Sequence, residues 1–182
     1  MRYSAVAGRY ARALLNVAMD RGEEERYREL LKVVNVVYKK FRAFFDDPST
    51  TSQKKHNFML ELLKDLKVEI DEPFVNFLRL LFERKRQKYL PLILEVYADL
   101  EIEAKGMIPV DVLAPYELSE EEKEVLRKFV KKVALREPVF RLKKDESLLA
   151  GVRLEFQGMS YDVSVKGRIE RIYRDVFGEG VM

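Results

Sequence analysis

Asp145-Glu146-Ser147-Leu148-Leu149-Ala150-Gly151-Val152-Arg153-Leu154-Glu155-Phe156, then Gln157-Gly158, then Tyr161-Asp162-Val163-Ser164-Val165-Lys166-Gly167-Arg168-Ile169-Glu170-Arg171-Ile172, reads as a hairpin running into a helix. Val152, Leu154 and Phe156 alternate with Arg153, Glu155 and Gln157, so one strand face is buried and the other wet. Gly158 supplies the turn, and Met159, Tyr161, Val163 and Val165 alternate on the return strand. Ser164 is placed to cap the following helix, whose inner face would be Ile169, Ile172 and Val176.

Working back from the hairpin, the period changes at Lys105-Gly106. After it, Ile108, Val110 and Val112 alternate as a strand closed by Pro115. Ser119-Glu120-Glu121-Glu122 is a capping box opening a helix through Phe129, Val130 and Val133, and Val139, Phe140 and Leu142 form a short strand. Residues 106–182 therefore read as a small α+β domain with a short sheet. With fewer than eighty residues its core is modest, and docking on a partner would support it.

Residues 1–105 carry only helical periodicity. A first helix opens at Ser4 and runs to about Asp20, before Gly22. Its polar residues Arg9, Arg12, Asn16 and Asp20 make one stripe, and nearly everything else is apolar or small. A second helix, about Glu24 to Phe45, carries the seam Tyr27, Leu30, Val34, Val37, Phe41 and Phe44, and Asp46-Asp47-Pro48 stops it. Thr51 or Ser52 caps a third, with Met59, Leu62, Leu63 and Leu66 inward. Asp71 caps a fourth, with Phe74, Phe77, Leu78 and Leu81 inward. After a polar break at Arg84 to Lys88, a fifth carries Tyr89, Leu90, Ile93, Leu94, Val96, Tyr97 and Leu100. Short connections favour an antiparallel bundle. The whole is an α+β chain, a helix bundle (1–105) followed by an α+β domain (106–182).

The composition excludes several chemistries. There are 182 residues, 47% of them hydrophobic, no cysteine and one histidine, His56. Disulfides, thiolate metal sites and a histidine-based triad or zinc centre are not expected. His56 itself reads as a surface residue in a polar helical turn. No P-loop and no G-x-G-x-x-G is present, so no nucleotide or other cofactor is expected. Asp162 and Ser164 have no histidine beside them and read as a turn and a cap rather than a catalytic pair. No apolar run is long enough to span a bilayer, and Met1-Arg2-Tyr3 leads almost directly into a helix, so neither a signal nor a transit peptide is expected. The net charge of +3 is spread too evenly for an obvious nucleic-acid footprint.

The first and fifth helices are apolar over more than one face. Either both are central in the bundle, or they flank a groove open to a partner's amphipathic helix. The residues alone leave both readings open.

The segment from Asp145 to Ile172 resembles the C-terminal signature of the F-type ATP synthase delta subunit family, which includes the mitochondrial oligomycin-sensitivity-conferring protein. That signature runs roughly D-x-S-h-h-G-G-h-x-h, a gap, then D-x-S-h-x-G-R-h-x-x-h, with h apolar. Gly151, Asp162, Ser164, Gly167 and Arg168 fall on it as structural positions. Ala150 stands where the first glycine is usual, and Val163 where a small residue is common. Tyr10-Ala11-Arg12-Ala13-Leu14 resembles the family's opening Y-A-x-A-L. Phe77 to Leu81 with Arg86, Tyr89-Leu90 and Ile93 is similar to its middle portion.

The resemblance implies a non-catalytic stator subunit of a proton- or sodium-driven ATP synthase. It would link the alpha/beta catalytic head to the peripheral stalk of b subunits, one copy per complex, as a peripheral protein on the cytoplasmic face of a bacterial inner membrane. A groove between the first and fifth helices would take the N-terminal helix of the alpha subunit, with Val6, Tyr10, Ala13, Leu14, Val17, Leu90, Ile93, Leu94 and Tyr97 as the candidate contacts. The C-terminal domain would bind the C-termini of the b subunits. The competing reading is a basic nucleic-acid-binding α+β protein using Arg84 to Lys88, Lys54-Lys55 and Lys143-Lys144.

Overall fold

A computed structural model of the chain describes residues 4–146, 148 and 151–163. The chain falls into two compact units, Tyr3–Glu101 and Ile102–Met182. The fold is α+β, with helices first and a four-stranded sheet after them.

The helical unit comprises α1 (Ala5–Met19), α2 (Glu24–Lys40), α3 (Arg42–Asp46), α4 (Ser52–Asp65), α5 (Glu72–Glu83), a 3-10 turn (Gln87–Tyr89) and α6 (Leu90–Ala104). Gly22, at φ +67°, ends the α1 turn, and the Glu23 amide closes it on the Ala18 carbonyl at 2.9 Å. The long second helix expected from the sequence is broken. Phe41 leaves helical geometry (φ −109°, ψ 29°), and the chain restarts as α3. The break re-aims Phe44 and Phe45. Phe45 stacks on Phe82 with centroids 5.5 Å apart, while Phe41 and Phe44 both meet Phe58. Aromatic packing of this kind outweighs the loss of one helical turn's hydrogen bonds.

Three polar residues depart from the sequence reading. His56 is buried, not on the surface, with Nε2 3.4 Å from the Val75 carbonyl and its ring against Phe82. Lys55 is buried and its ammonium donates to the Asp47 carbonyl at 2.7 Å. Asp71 stands at the N-cap position of α5 but makes no capping bond; its carboxylate accepts from the Tyr27 hydroxyl and pairs with Arg21. Thr51 does cap α4, accepting from the Lys54 amide at 3.3 Å.

Tyr27 and Tyr38 donate to Asp71 and Asp46 respectively. Burial first, and then the neighbouring carboxylates, push both phenols up to about 12. Because the folded values lie above the unfolded value of about 10, the folded state holds these protons longer. Their stabilising effect is complete below about pH 10 and is lost as pH rises towards 12. Urea unfolding followed across that window should show falling stability, and the slope should flatten in a Tyr27→Phe, Tyr38→Phe double variant. An unchanged slope in that variant would assign alkaline unfolding to other groups.

The second unit contains β1 (Ile108–Ala114), α7 (Glu120–Ala134), β2 (Pro138–Lys144), β3 (Val152–Phe156) and β4 (Met159–Val163). The sheet order is β2-β1-β3-β4, with β1 and β2 parallel and the other neighbours antiparallel. The α7 crossover supplies the long connection that a parallel pair requires. Ser119 and Glu122 close the expected capping box, at 3.2 and 2.8 Å. Gln157 and Gly158 form a two-residue hairpin turn with both φ positive, at 50° and 75°. Ile108, Val110, Val112 and Ala114 bury one face of β1 with Leu126 and Val130 of α7 and Val152, Leu154 and Phe156 of β3. The final helix expected from Ser164, with Ile169, Ile172 and Val176, lies outside the described residues.

Candidate docking surfaces

The apolar circumference of α1 divides into two arcs. Ala7, Ala11, Leu14, Leu15 and Ala18 are fully taken up by the core. Val6 and Val17 are half-buried and Ala13 is exposed, and helical spacing sets the three together on a flank beside that buried arc. Arg9, Arg12, Asn16 and Asp20 form the expected wet stripe beyond them. Tyr10 sits at the boundary, 8% exposed. Its ring meets Phe77 of α5 edge-on at 6.2 Å, and the Arg86 guanidinium lies 5.6 Å from its centroid.

The helix of Leu90 to Tyr97, fifth in the sequence reading, is α6, because α3 intervenes. Leu90, Ile93 and Tyr97 are buried in the bundle core, and the Tyr97 hydroxyl donates to the Glu24 carbonyl at 2.9 Å. Leu94 is half-buried. Of the nine candidate contacts, Val6, Ala13, Val17 and Leu94 thus keep accessible surface. Tyr10, Leu14, Leu90, Ile93 and Tyr97 have been drawn into the bundle.

Sequence reasoning passed over Leu80. It lies one turn on from Phe77 in α5, a helix that packs against α1, and is 44% exposed. Its signal was an apolar residue standing off the inward seam Phe74, Phe77, Leu78 and Leu81. The polar break is not simply solvated either. Gln87 is buried and donates to the Phe45 carbonyl at 2.8 Å, and Arg86 covers Tyr10. With Lys55 also engaged internally, several cations required by the nucleic-acid reading serve the fold instead.

In the second unit, Gly151 leads into β3 at φ +125°, a backbone region that strains any side chain. Asp162 lies within β4. The register sets it opposite Arg153, whose Nε donates to it at 2.9 Å across the hairpin. Ser164, Gly167 and Arg168 lie outside the described residues. Between Val110 and Val112, Asp111 is a buried carboxylate that pairs with Arg141 at 2.8 Å and Lys143 at 3.1 Å from the neighbouring strand. Among the described residues, no three histidine, aspartate or glutamate side chains gather to hold a metal ion, and no helix is long and apolar enough to cross a membrane.

A family model described as ATP synthase delta (OSCP) subunit matches residues 6–176. The ATP synthase subunit delta of Pseudothermotoga lettingae is 43% identical over 182 residues, covering all of both chains. The subunit delta of Thermotoga maritima is likewise 43% identical over 182 residues and all of both chains. Among solved structures, a chain of the Toxoplasma gondii mitochondrial ATP synthase hexamer shares the fold, with a TM-score of 0.58 and 23% identity over 96% of this chain and 98% of that one.

Proposed function

The chain belongs to the ATP synthase delta (OSCP) subunit family, a non-catalytic stator component of the ATP synthase, and from that premise we propose how its two units divide the work. The helical unit docks the N-terminal helix of an alpha subunit. The α+β unit holds the C-termini of the b subunits of the stalk. One copy per complex, peripheral to the cytoplasmic face of a bacterial inner membrane, links head to stalk so that torque from the rotor is resisted. Its mechanism is affinity and stiffness rather than bond chemistry. A stator must not let go under load, so slow dissociation is what its surfaces need, and two linked contacts provide avidity that neither has alone.

The observation that carries the docking role is the half-open apolar flank of Val6, Ala13 and Val17, with Leu80 exposed on the packed neighbour α5. Spacings of seven and four residues set the three α1 side chains along one flank, a stripe on which an amphipathic helix can lay its apolar face. Internal use of Lys55, Arg86 and Lys143 leaves the nucleic-acid reading without support.

Calorimetric titration of the full chain with a synthetic peptide copying the N-terminus of the alpha subunit tests this. One-to-one binding with a negative heat-capacity change and little salt dependence is expected. Val17→Asp and Leu80→Asp should each weaken it by about tenfold or more while leaving the circular-dichroism melt in place. No binding by the folded chain would remove the docking role.

A further inference from the structure

The second unit holds a cavity of about 560 Å³ where the ends of β1 and β2 meet the connection into α7. Val112, Ala114 and Leu118, all buried, give it an apolar floor. Leu142, 52% exposed, and Tyr116, 43% exposed, are apolar sides open to solvent. The Tyr116 hydroxyl donates to Glu122 Oε1 at 3.3 Å, which holds the ring in place. The Asp145 amide donates to the Ala114 carbonyl at 3.0 Å and ties the two strand ends together. The space is thus shaped before anything enters it.

Three lysines line the cavity, Lys123, Lys143 and Lys144, against one acid among the described lining residues, Glu117. Lys143 is held by the buried Asp111. Lys123 pairs with Glu120 and Lys144 with Glu146, but those carboxylates are 87% and 78% exposed. Exposed pairs of this kind contribute little, so either ammonium exchanges its partner at small cost for an anion held in the cavity. The neighbouring end of α7 adds no anion site of its own. Its first turn carries Glu120, Glu121 and Glu122, and the capping box of Ser119 and Glu122 already uses amides there.

These features exclude most occupants. Lysines repel a metal cation. A bare inorganic anion would leave the apolar floor wet, and an uncharged apolar molecule would gain nothing from the ammonium groups. One turn of a helix about 10 Å across, rising 5.4 Å, already occupies on the order of 400 Å³, so the space suits a small molecule and not a length of folded chain. We propose that the cavity binds a small amphiphilic anion, a medium-chain alkyl or aryl body carrying a single carboxylate or sulfonate. The body lies on Val112 and Leu118 between Leu142 and Tyr116, and Lys123 and Lys144 take the head group. No partner chain is required, so the site stands apart from the two docking roles.

Anilinonaphthalene sulfonate, a dye that brightens in apolar surroundings, reports on the site in the full folded chain, with decanoate, decanol and acetate as competitors. Decanoate should displace the dye at a concentration about tenfold lower than decanol or acetate, or lower still. In a Lys123→Ala, Lys144→Ala double variant decanoate should fall to the level of decanol, with decanol itself unchanged. Lys144→Ala alone, at a side chain 69% exposed, should give part of that loss and serves if the double variant melts early. Leu142→Asp should weaken decanoate and decanol alike. Dye seated on the half-open flank of α1 is told apart by Val17→Asp, which should leave displacement by decanoate intact. Equal displacement by decanoate and decanol, a decanoate affinity unmoved by the lysine variants, or its loss in Val17→Asp would each overturn the assignment.

Discussion

Ile93→Asp is expected to unfold the helical unit, not merely to loosen its hold on a partner. Ile93 is wholly buried in α6 among the bundle core. The substitution removes about 2–3 kcal/mol of apolar burial and places a carboxylate where no partner waits for it. The sum, on the order of 5 kcal/mol, is comparable with the whole stability of an ordinary domain. The helical signal in circular dichroism should collapse or the melting transition drop steeply. Val17→Asp, on the half-open flank of α1, should melt nearly as the parent does. A folded Ile93→Asp chain that fails only to bind the alpha peptide would show that α6 turns this face to the partner.

Arg28→Ala should cost about 3–5 kcal/mol, far more than an ordinary surface arginine. Glu101 is 1% exposed, and the Arg28 Nη1 atom lies 2.9 and 3.1 Å from its two carboxylate oxygens. Truncating the arginine withdraws a full positive charge from a carboxylate that water hardly reaches. Urea unfolding of three chains separates this from lost packing. Arg28→Ala should be the least stable, and adding Glu101→Gln should recover a substantial part of the loss, because a neutral amide is cheaper to bury than a charge. A double variant no more stable than the single one would mean that the arginine acts through its methylenes instead. The neighbouring Tyr97 phenol is raised by burial first and by Glu101 next, as expected where carboxylate and phenol share a dry site.

Most helices and strands could be read from the chain because their causes are local. Thr51 and Ser119 with Glu122 act on amides a few residues away, Gly158 turns the hairpin, and the structure uses each as the sequence suggests, although the turn also takes in Gln157, which alternation assigns to the strand. The break at Phe41 was hidden for the opposite reason. The seam of the second helix continues unbroken through Phe44, and only Phe58 and Phe82, from α4 and α5, draw the phenylalanines off it. His56 reads as a surface residue, Lys55 as a cation open to a partner and Gln87 as part of a polar break, and the burial of Asp111 has no local signal either. Their partners are the Val75, Asp47 and Phe45 carbonyls and the cations of β2, none of which local spacing announces.

Unaided, the amino-acid order establishes the succession of helices and strands, the change from helical to strand period, the hairpin, and, through motifs spread along the chain, the family. Those depend on intervals of two to four residues and on residue identity, which folding does not alter. Which side of each apolar helix is spent on the core is decided by packing in three dimensions alone. Residues along α1 and α6 are apolar over more than one face, so spacing cannot say whether Val17 or Leu14, Leu94 or Ile93, is left accessible. That depends on which helices pack alongside, and burial is a property of such neighbours rather than of the residue buried.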